Sequence, residues 1–291
     1  MAFINPQYLV ETAWVAAHLN DPALRILDCT VLFASDANGV RVATGHDAWA
    51  KGHIPGSGYA DLMQDLSDRN SSVPFMMPSM TQFAEAMSRY GIEDGTPVVL
   101  YDACSDLWAH MWAARVWWML RVCGFENAAV LNGGWHKWTL EARPVSTEPS
   151  PYPPAHFVAR PHPELMADKR EVLATMGDSR ACLLNALTTE DHAGTVVRYK
   201  RAGHIPSSVN VPTVALINPV THAYLPAAQL RAQFEAVGAL SRERVITYCG
   251  GGIAASSDAF VLTLLGVPNV AVYDGSLSEW AADPALPMET A

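Results

Sequence analysis

One order of predicted strands, helices and turns occurs twice in this chain. Each half has an apolar strand, then a Gly-His-Ile-Pro turn, at residues 52–55 and again at residues 203–206. A helical segment, a second apolar strand and an ending that contains glycine and tryptophan follow in both halves. A repeat of this length indicates a duplicated domain and not a solenoid. Short buried strands that alternate with helices predict an α/β fold, with a mainly parallel sheet flanked by helices on both faces in each half.

Prolines mark the boundary between the halves. Residues 143–163 contain prolines at positions 144, 149, 151, 153, 154, 161 and 163, too many for a helix or an inner strand. We therefore expect a stiff, extended connector. The sequence predicts a first domain at 1–143, a linker at 144–165 and a second domain at 166–291, and 291 residues suit two domains of ordinary size.

Composition narrows the range of partners. The net charge of −10 argues against a nucleic-acid partner bound mainly through its phosphates. The most apolar run, 107–122, contains one histidine and two arginines, which favours a buried helix over a membrane span. The five cysteines are odd in number and lack metal-ligand spacing. With no signal-peptide pattern at the start, we expect a reduced, cytoplasmic protein without a metal or an organic cofactor. The sequence does not predict an oligomeric state.

A cysteine followed by three glycines lies at the end of the second apolar strand of the second half. Cys249 follows the β-prone residues 245–248, and residues 254–265 form an apolar segment that predicts a helix ending at Gly266. Glycines allow several backbone N–H groups to face one point, and the helix start adds partial positive charge. A thiolate at Cys249 would be stabilised there and would act as a nucleophile.

Four interpretations of this loop are possible. A P-loop needs Lys-Ser/Thr after the last glycine, where Ile253 and Ala254 stand. A cysteine phosphatase needs an arginine to close the loop, which Ala255 and Ser256 do not provide. A structural cysteine in a tight turn is the third, although three glycines before a helix favour a functional thiol. The fourth is a sulfur carrier, in which Cys249 holds sulfur as a persulfide and backbone amides alone stabilise its charge. These amides belong to Gly250, Gly251, Gly252, Ile253, Ala254 and Ala255.

The first half lacks this cysteine. Asp102 occupies the position of Cys249 in the repeat, and a carboxylate cannot carry sulfur. We therefore expect the first domain to be a non-catalytic partner that shapes a cleft, and we interpret Cys104 as a structural thiol.

Together these features resemble the tandem-domain rhodanese family, which includes the thiosulfate and 3-mercaptopyruvate sulfurtransferases. The features are the strand–cysteine–glycine loop–helix, the two Gly-His-Ile-Pro turns, Asp102, and the Gly-Gly-Trp and Gly-Ser-Leu-Ser-Glu-Trp endings. The resemblance covers nearly the whole chain. It implies two rhodanese domains with a site between them and a cysteine that cycles between thiol and persulfide, which Cys249 matches.

Several positions depart from the family pattern. The Cys-Gly-Gly-Gly loop is nearer to the Cys-Gly-Ser-Gly loop of the mercaptopyruvate branch than to the basic loop of the thiosulfate branch, but Gly251 removes the serine hydroxyl. The arginine that grips the substrate in the family aligns with Asp191, and the aspartate that ends the preceding strand aligns with Asn185. The acidic and histidine positions of the mercaptopyruvate branch fall on Met63 and Phe75. We expect a cleft that is less cationic and more apolar than the family pattern.

Other polar residues are assigned by their context. Thr188 and Asp191 have the spacing of a helix capping box, which we favour over a substrate contact for Asp191. His53 and His204 are predicted to be structural, because both halves have one and only one half has the cysteine. The remaining candidate cleft residues are Asp61, Asp102, Trp108, Asn185, Arg198 and Arg201.

Two functional hypotheses follow from these residues. The first is a sulfurtransferase that moves sulfur from a small donor, such as thiosulfate, 3-mercaptopyruvate or a related thiol, through a Cys249 persulfide to a thiol or cyanide-type acceptor. The alternative is a non-catalytic sulfur-relay or binding module that has lost the family's clamp for the substrate anion. A thiol-dependent hydrolase is a third possibility, and the missing loop arginine argues against phosphate esters as its substrates.

Overall fold

Two five-stranded parallel sheets form the framework. The computed structural model describes residues 2–36, 39–104 and 110–291, and of residues 34–36 and 39–41 the backbone alone. In spatial order, the first sheet contains β1 (Leu9–Val10), β7 (Ala128–Leu131), β6 (Val98–Tyr101), β2 (Arg25–Asp28) and β5 (Ser57–Tyr59). The second sheet contains β8 (Met166–Ala167), β12 (Val270–Tyr273), β11 (Arg244–Tyr248), β9 (Ala181–Asn185) and β10 (Val209–Asn210). The two sheets therefore have the same strand order, as the repeat predicts.

Helices cover both faces of each sheet. Those of the first half are α1 (Thr12–His18), α2 (His46–Lys51), α3 (Met80–Arg89), α4 (Met111–Val122) and α5 (Gly134–Leu140). Those of the second half are α6 (Lys169–Thr175), α7 (Thr189–Ala193), α8 (Ala227–Ala236), α9 (Ile253–Leu264) and α10 (Ser276–Trp280). Successive residues of one strand point to opposite faces, and in β11 Val245 packs on one side while Ile246 packs on the other. The predicted two-sided burial of each sheet is confirmed.

The inner faces of the two sheets share one hydrophobic core. Helix α4 of the first half packs against α9 of the second, and the rings of Trp117 and Phe260 meet edge to face with centroids 4.7 Å apart. Both helices follow the central strand of their sheet, so their N-termini lie at the same edge as Asp102 and Cys249.

An antiparallel two-stranded ribbon was not predicted from the sequence. Strands β3 (Val31–Asp36) and β4 (Gly39–Thr44) pair with each other and with neither large sheet. Leu32 and Val42 on this ribbon are exposed, so the apolar pattern that reveals a buried strand is weak here.

The proline-rich connector packs on the first half. From residue 147 to 162 the chain has neither helix nor strand. The Tyr152 hydroxyl accepts a hydrogen bond from the Ile26 amide and lies within hydrogen-bond distance of the Gly56 carbonyl, and Phe157 is buried in the shared core. The extended connector is thus observed, while the domain limits inferred from its prolines stay predictions.

Candidate active site

Cys249 lies at the carboxyl end of β11, and α9 begins four residues later at Ile253. The predicted strand–loop–helix order is confirmed. Of the three glycines only Gly252 has a positive φ, at 78°, so it is the one whose backbone conformation favours glycine. Gly251 has room for a side chain, since a methyl group there would meet only the Pro74 carbonyl oxygen, 3.5 Å away.

Ser276 organises the loop from below. Its hydroxyl oxygen accepts hydrogen bonds from the amides of Cys249 (3.1 Å) and Gly252 (3.2 Å), and the hydroxyl donates to the Tyr273 carbonyl. The Gly252 amide therefore cannot stabilise a sulfur anion, which corrects one of the predicted donors. Among the described residues, no acceptor is found for the amides of Gly250, Gly251, Ile253, Ala254 and Ala255.

A cavity of about 300 Å³ opens in front of Cys249. Cys249 is only 2% exposed but lines this space. From the loop, Gly250, Gly251, Ile253 and Ala254 also line it, whereas Gly252 and Ala255 do not. Most of the wall is apolar and comes from both halves. The apolar lining includes Phe33, Pro74, Phe75, Met111, Trp112, Ala186, Leu187, Pro212 and Val214. The apolar character expected from Phe75 is confirmed, although Met63 is not among the lining residues.

The charges that line this cavity cancel. The Arg198 Nε lies 2.7 Å from Asp191 Oδ1, and these are the only charged side chains among the described lining residues. The Asp191 side chain is buried, while that of Arg198 is 55% exposed. The Thr188 hydroxyl donates to Asp191 Oδ2 at 2.9 Å and accepts from the Asp191 amide at 3.2 Å. The capping interaction is thus confirmed, but Asp191 also faces the cavity and neutralises its arginine.

A second cation lies beneath the loop. Arg115 of α4 is fully buried and forms an ion pair with Asp274, and a methyl group added at Gly252 would lie 3.1 Å from Arg115 Nη1 and 2.8 Å from Asp274 Oδ1. Arg115 is therefore a cation close to Gly252 that Asp274 neutralises, and stabilisation of the sulfur by backbone amides alone stays a prediction. Arg115 was not selected from the sequence because an arginine inside an apolar helix gives no sign of its partner.

Tyr199 also lines the cavity and was not predicted from the sequence. A methyl group added at Gly250 would lie 1.8 Å from the Tyr199 Oη, so the hydroxyl rests on the residue that follows Cys249. Burial, and next the negative charge of the Cys249 thiolate, raise the pKa of Tyr199 above its ordinary value. Its only sequence signal was an aromatic residue inside the basic run 198–201.

Two predicted cleft residues lie at the carboxyl ends of strands and support the chain that follows. Asp102 follows β6 as Cys249 follows β11, and its carboxylate accepts hydrogen bonds from the amides of His110, Trp112 and Ala113 at 3.1 Å each. Burial raises the pKa of Asp102 to about 6. Asn185 ends β9, and its Oδ1 accepts from the Leu187 amide. Neither residue lines the cavity.

Two more predicted cleft residues lie away from the cavity. Asp61 Oδ1 accepts from the amides of Met63 and Gln64 in its own turn. Arg201 is wrong as a cleft residue, because its guanidinium is held by backbone carbonyls near the C-terminus. These carbonyls belong to Trp280, Ala281, Asp283 and Leu286. Trp108 lies outside the described residues.

The paired histidines are structural, as predicted. The amide of His53 donates to the Ser146 carbonyl, and the amide of His204 donates to the Glu289 carbonyl, in equivalent antiparallel bridges. Neither imidazole lines the cavity. The Cys104 thiol donates to the Val31 carbonyl, and burial raises its pKa well above the ordinary value, which suits a structural thiol.

Within residues 2–36, 39–104 and 110–291, no three metal-ligating side chains cluster. In the same part of the chain, no helix combines the length and the apolar character that crossing a bilayer requires.

Known proteins are similar to this chain in both sequence and fold. The rhodanese-like domain family matches residues 11–141 and 170–283. The chain is 31% identical to the sulfur carrier protein TtuD of Thermus thermophilus, over 99% of this chain and 98% of that protein. It is 34% identical to the thiosulfate sulfurtransferase of Rattus norvegicus, over 94% and 91% of the two chains.

A solved structure agrees with these sequence relatives. The crystal structure of the 3-mercaptopyruvate sulfotransferase SseA from Escherichia coli superposes with a TM-score of 0.81 at 29% identity, and covers 92% of this chain and 98% of that one. Both the sequence match and the duplicated parallel sheets extend over nearly the whole chain. The chain therefore belongs to the rhodanese family and is a sulfurtransferase of that class.

Proposed function

We propose that Cys249 carries sulfur as a persulfide between a small donor and a thiol or cyanide-type acceptor. The observation that carries this proposal is that Cys249 lines the cavity, beside loop amides that lack an acceptor among the described residues. Such amides stabilise negative charge that develops on sulfur without any reorganisation. Two relatives, a sulfur carrier protein and a thiosulfate sulfurtransferase, support the same chemistry.

The reaction has two steps. In the first, the Cys249 thiolate attacks the outer sulfur of the donor, a sulfur–sulfur bond forms, and the donor's bond to that sulfur breaks with its electron pair on the leaving group. In the second, an acceptor thiolate or cyanide attacks the outer sulfur of the persulfide and restores the Cys249 thiolate. Because the enzyme is modified between the steps, ping-pong kinetics are expected.

The cavity favours a donor with an apolar body and at most one negative charge. Thiosulfate is a compact dianion that gains from uncompensated cations, whereas Arg198 is already paired with Asp191. The apolar wall around Phe75 and Trp112 would contact an organic substituent and release water from it. An organic thiosulfonate, an organic persulfide or 3-mercaptopyruvate fits this description better than thiosulfate.

Intact-protein mass spectrometry tests the carrier role. The protein is incubated separately with thiosulfate, 3-mercaptopyruvate, an aryl thiosulfonate, an alkyl persulfide and the persulfide of another protein. We expect the wild type and Cys104→Ser to gain one sulfur atom that cyanide or a thiol removes, and Cys249→Ser to gain none. A sulfur atom held on another cysteine, or no gain with any donor, would overturn the proposal. Sulfur gain only from a protein persulfide would favour the relay module instead.

We further infer that the protein works in a reducing compartment such as the cytoplasm. The described cysteines are all unpaired and buried, and a catalytic thiol must stay reduced between turnovers. The partners required by the proposal are a small sulfur donor and a thiol acceptor.

A further inference from the structure

The Tyr199 hydroxyl and Gly250 are in direct contact. A methyl group added at Gly250 would lie 1.8 Å from the Tyr199 Oη, 2.6 Å from its Cζ and 3.0 Å from its Cε1. Gly250 does not have a positive φ, so its backbone conformation does not require glycine. The close approach of Tyr199 does require it, and the missing side chain brings a hydroxyl to the residue next to Cys249.

This hydroxyl has no partner among the described residues. Two other hydroxyls near the loop are already used, because Ser276 binds the loop amides and Thr188 donates to Asp191. Ser278 also lines the cavity and supplies its amide to the Gly250 carbonyl. Tyr199 therefore presents a hydrogen-bond donor beside Gly250, in the cavity that Cys249 also lines.

The hydroxyl stays protonated at neutral pH. Burial raises the pKa of Tyr199, and a negative Cys249 raises it further. A neutral O–H next to an anionic sulfur can donate a hydrogen bond. It can also pass its proton to one sulfur while it takes a proton from another, so that no tyrosinate is formed.

We propose that Tyr199 is a catalytic residue that moves a proton from the transferred sulfur to the leaving group. The proposal rests on Cys249 as the sulfur carrier. When the Cys249 thiolate attacks the outer sulfur of R–S–SH, the new sulfur–sulfur bond forms and the old one breaks with its electron pair on R–S. Tyr199 gives its proton to this leaving thiolate and takes the proton of the new Cys249 persulfide. The products are R–SH and an anionic persulfide, Tyr199 ends neutral, and no oxidant or reductant is consumed.

This role predicts a dependence on the leaving group. A thiolate is a strong base and benefits from the proton. The sulfinate released from an organic thiosulfonate, R–SO₂–S⁻, is a weak base and does not need it. A hydroxyl that only packed in the wall would affect both donor classes equally.

The test compares wild type and Tyr199→Phe, which keeps the ring and removes the hydroxyl. We expect kcat/KM to fall about 100-fold with alkyl persulfides, the usual scale of general acid–base catalysis. With thiosulfonates of the same organic group we expect a fall of at most about threefold. Across a series of persulfides, kcat/KM of the variant should depend more steeply on the pKa of the leaving thiol than kcat/KM of the wild type does. Tyr8→Phe, which removes a tyrosine hydroxyl that binds Glu126 and does not line the cavity, should keep wild-type selectivity between the two donor classes.

Equal losses for both donor classes, or no loss with persulfides, would overturn the role of Tyr199. The result is separable from a failure of the carrier role, because Cys249→Ser would lose activity with every donor. Mass spectrometry of Tyr199→Phe checks that Cys249 still takes sulfur from the thiosulfonate, which shows that the variant is folded and its loop is intact.

Discussion

Arg115 and Asp274 form a buried ion pair that joins the two halves next to Gly252 in the loop after Cys249. Arg115 Nη2 lies 2.6 Å from Asp274 Oδ1, and both side chains are at most 5% exposed. The same Nη2 donates to the Phe75 carbonyl at 2.9 Å, and Asp274 Oδ2 accepts from the Met77 amide at 2.8 Å. The pair thus ties the cavity wall of the first half to the loop of the second.

Removing one partner of this pair should destabilise the protein strongly. Arg115→Met leaves the Asp274 carboxylate buried without its cation, which costs about 3–5 kcal/mol of the free energy of unfolding. Urea unfolding measures this change. The double variant Arg115→Met/Asp274→Asn should recover much of the loss, and loss of the exposed pair Arg160–Asp94 should change stability far less. A single variant as stable as the wild type would show that the pair does not hold the halves together.

Gly252 should tolerate a side chain much less well than Gly251. Gly252→Ala places a methyl group at a φ of 78° and 2.8 Å from Asp274 Oδ1, so we expect a loss of more than about 1 kcal/mol in stability and a distorted loop. Gly251→Ala has space and an ordinary φ, and should fold like the wild type. Thermal unfolding and the rate of sulfur uptake by Cys249 measure both effects. Similar behaviour of the two variants would contradict this explanation of the loop.

Removing the negative charge that pairs with Arg198 should lower KM for thiosulfate. Asp191→Asn keeps the volume and the hydrogen bond to Thr188 but removes the charge that neutralises Arg198. We expect KM for thiosulfate to fall about threefold to tenfold, the size of one freed charge-assisted hydrogen bond, with little change for an uncharged persulfide. Glu190→Gln serves as the control, because it removes the same charge from a neighbouring residue that is exposed. An unchanged KM in Asp191→Asn would mean that Arg198 does not meet the donor.

Asp102 should make stability depend on pH. Its pKa is 3.8 in the unfolded chain and about 6 in the folded protein, so the folded state binds the proton more tightly and the free energy of unfolding falls as pH rises from about 4 to about 6. Asp102→Asn should reduce this fall by about 2–3 kcal/mol.

Other groups titrate in the same range, so the difference between the two proteins is the quantity to measure. Asp28, with its pKa raised to about 6 by burial, acts in the same direction. His110 and His192, with pKa values lowered to about 4 by burial, act in the opposite direction. Urea unfolding at several pH values between 4 and 7 gives the two profiles, and parallel profiles would contradict the assignment to Asp102.

The sequence was sufficient wherever the apolar pattern determined the structure. Residues 245–248 and 254–265 predicted β11 and α9 to within one residue at each end, because both are buried and a run of three glycines lies between them. The β3–β4 ribbon was missed because its apolar residues are exposed. The site was harder to predict than the fold, since it depends on contacts between residues far apart in the chain.

Arg201 and Tyr199 illustrate this difference. They lie two positions apart in one basic run, yet Arg201 binds carbonyls near the C-terminus and Tyr199 reaches the cysteine loop. Which of them faces the cavity is decided by the path of the loop between α7 and β10, and no periodicity in the sequence encodes that path.

The contact between Gly250 and Tyr199 also restricts how such a protein can evolve. A lineage that acquired a basic side chain after the cysteine would first have to exchange the tyrosine for a smaller residue, because the two groups occupy the same volume. Substitutions at positions 199 and 250 should therefore occur together, because a protein with only one of the two changes would be less active.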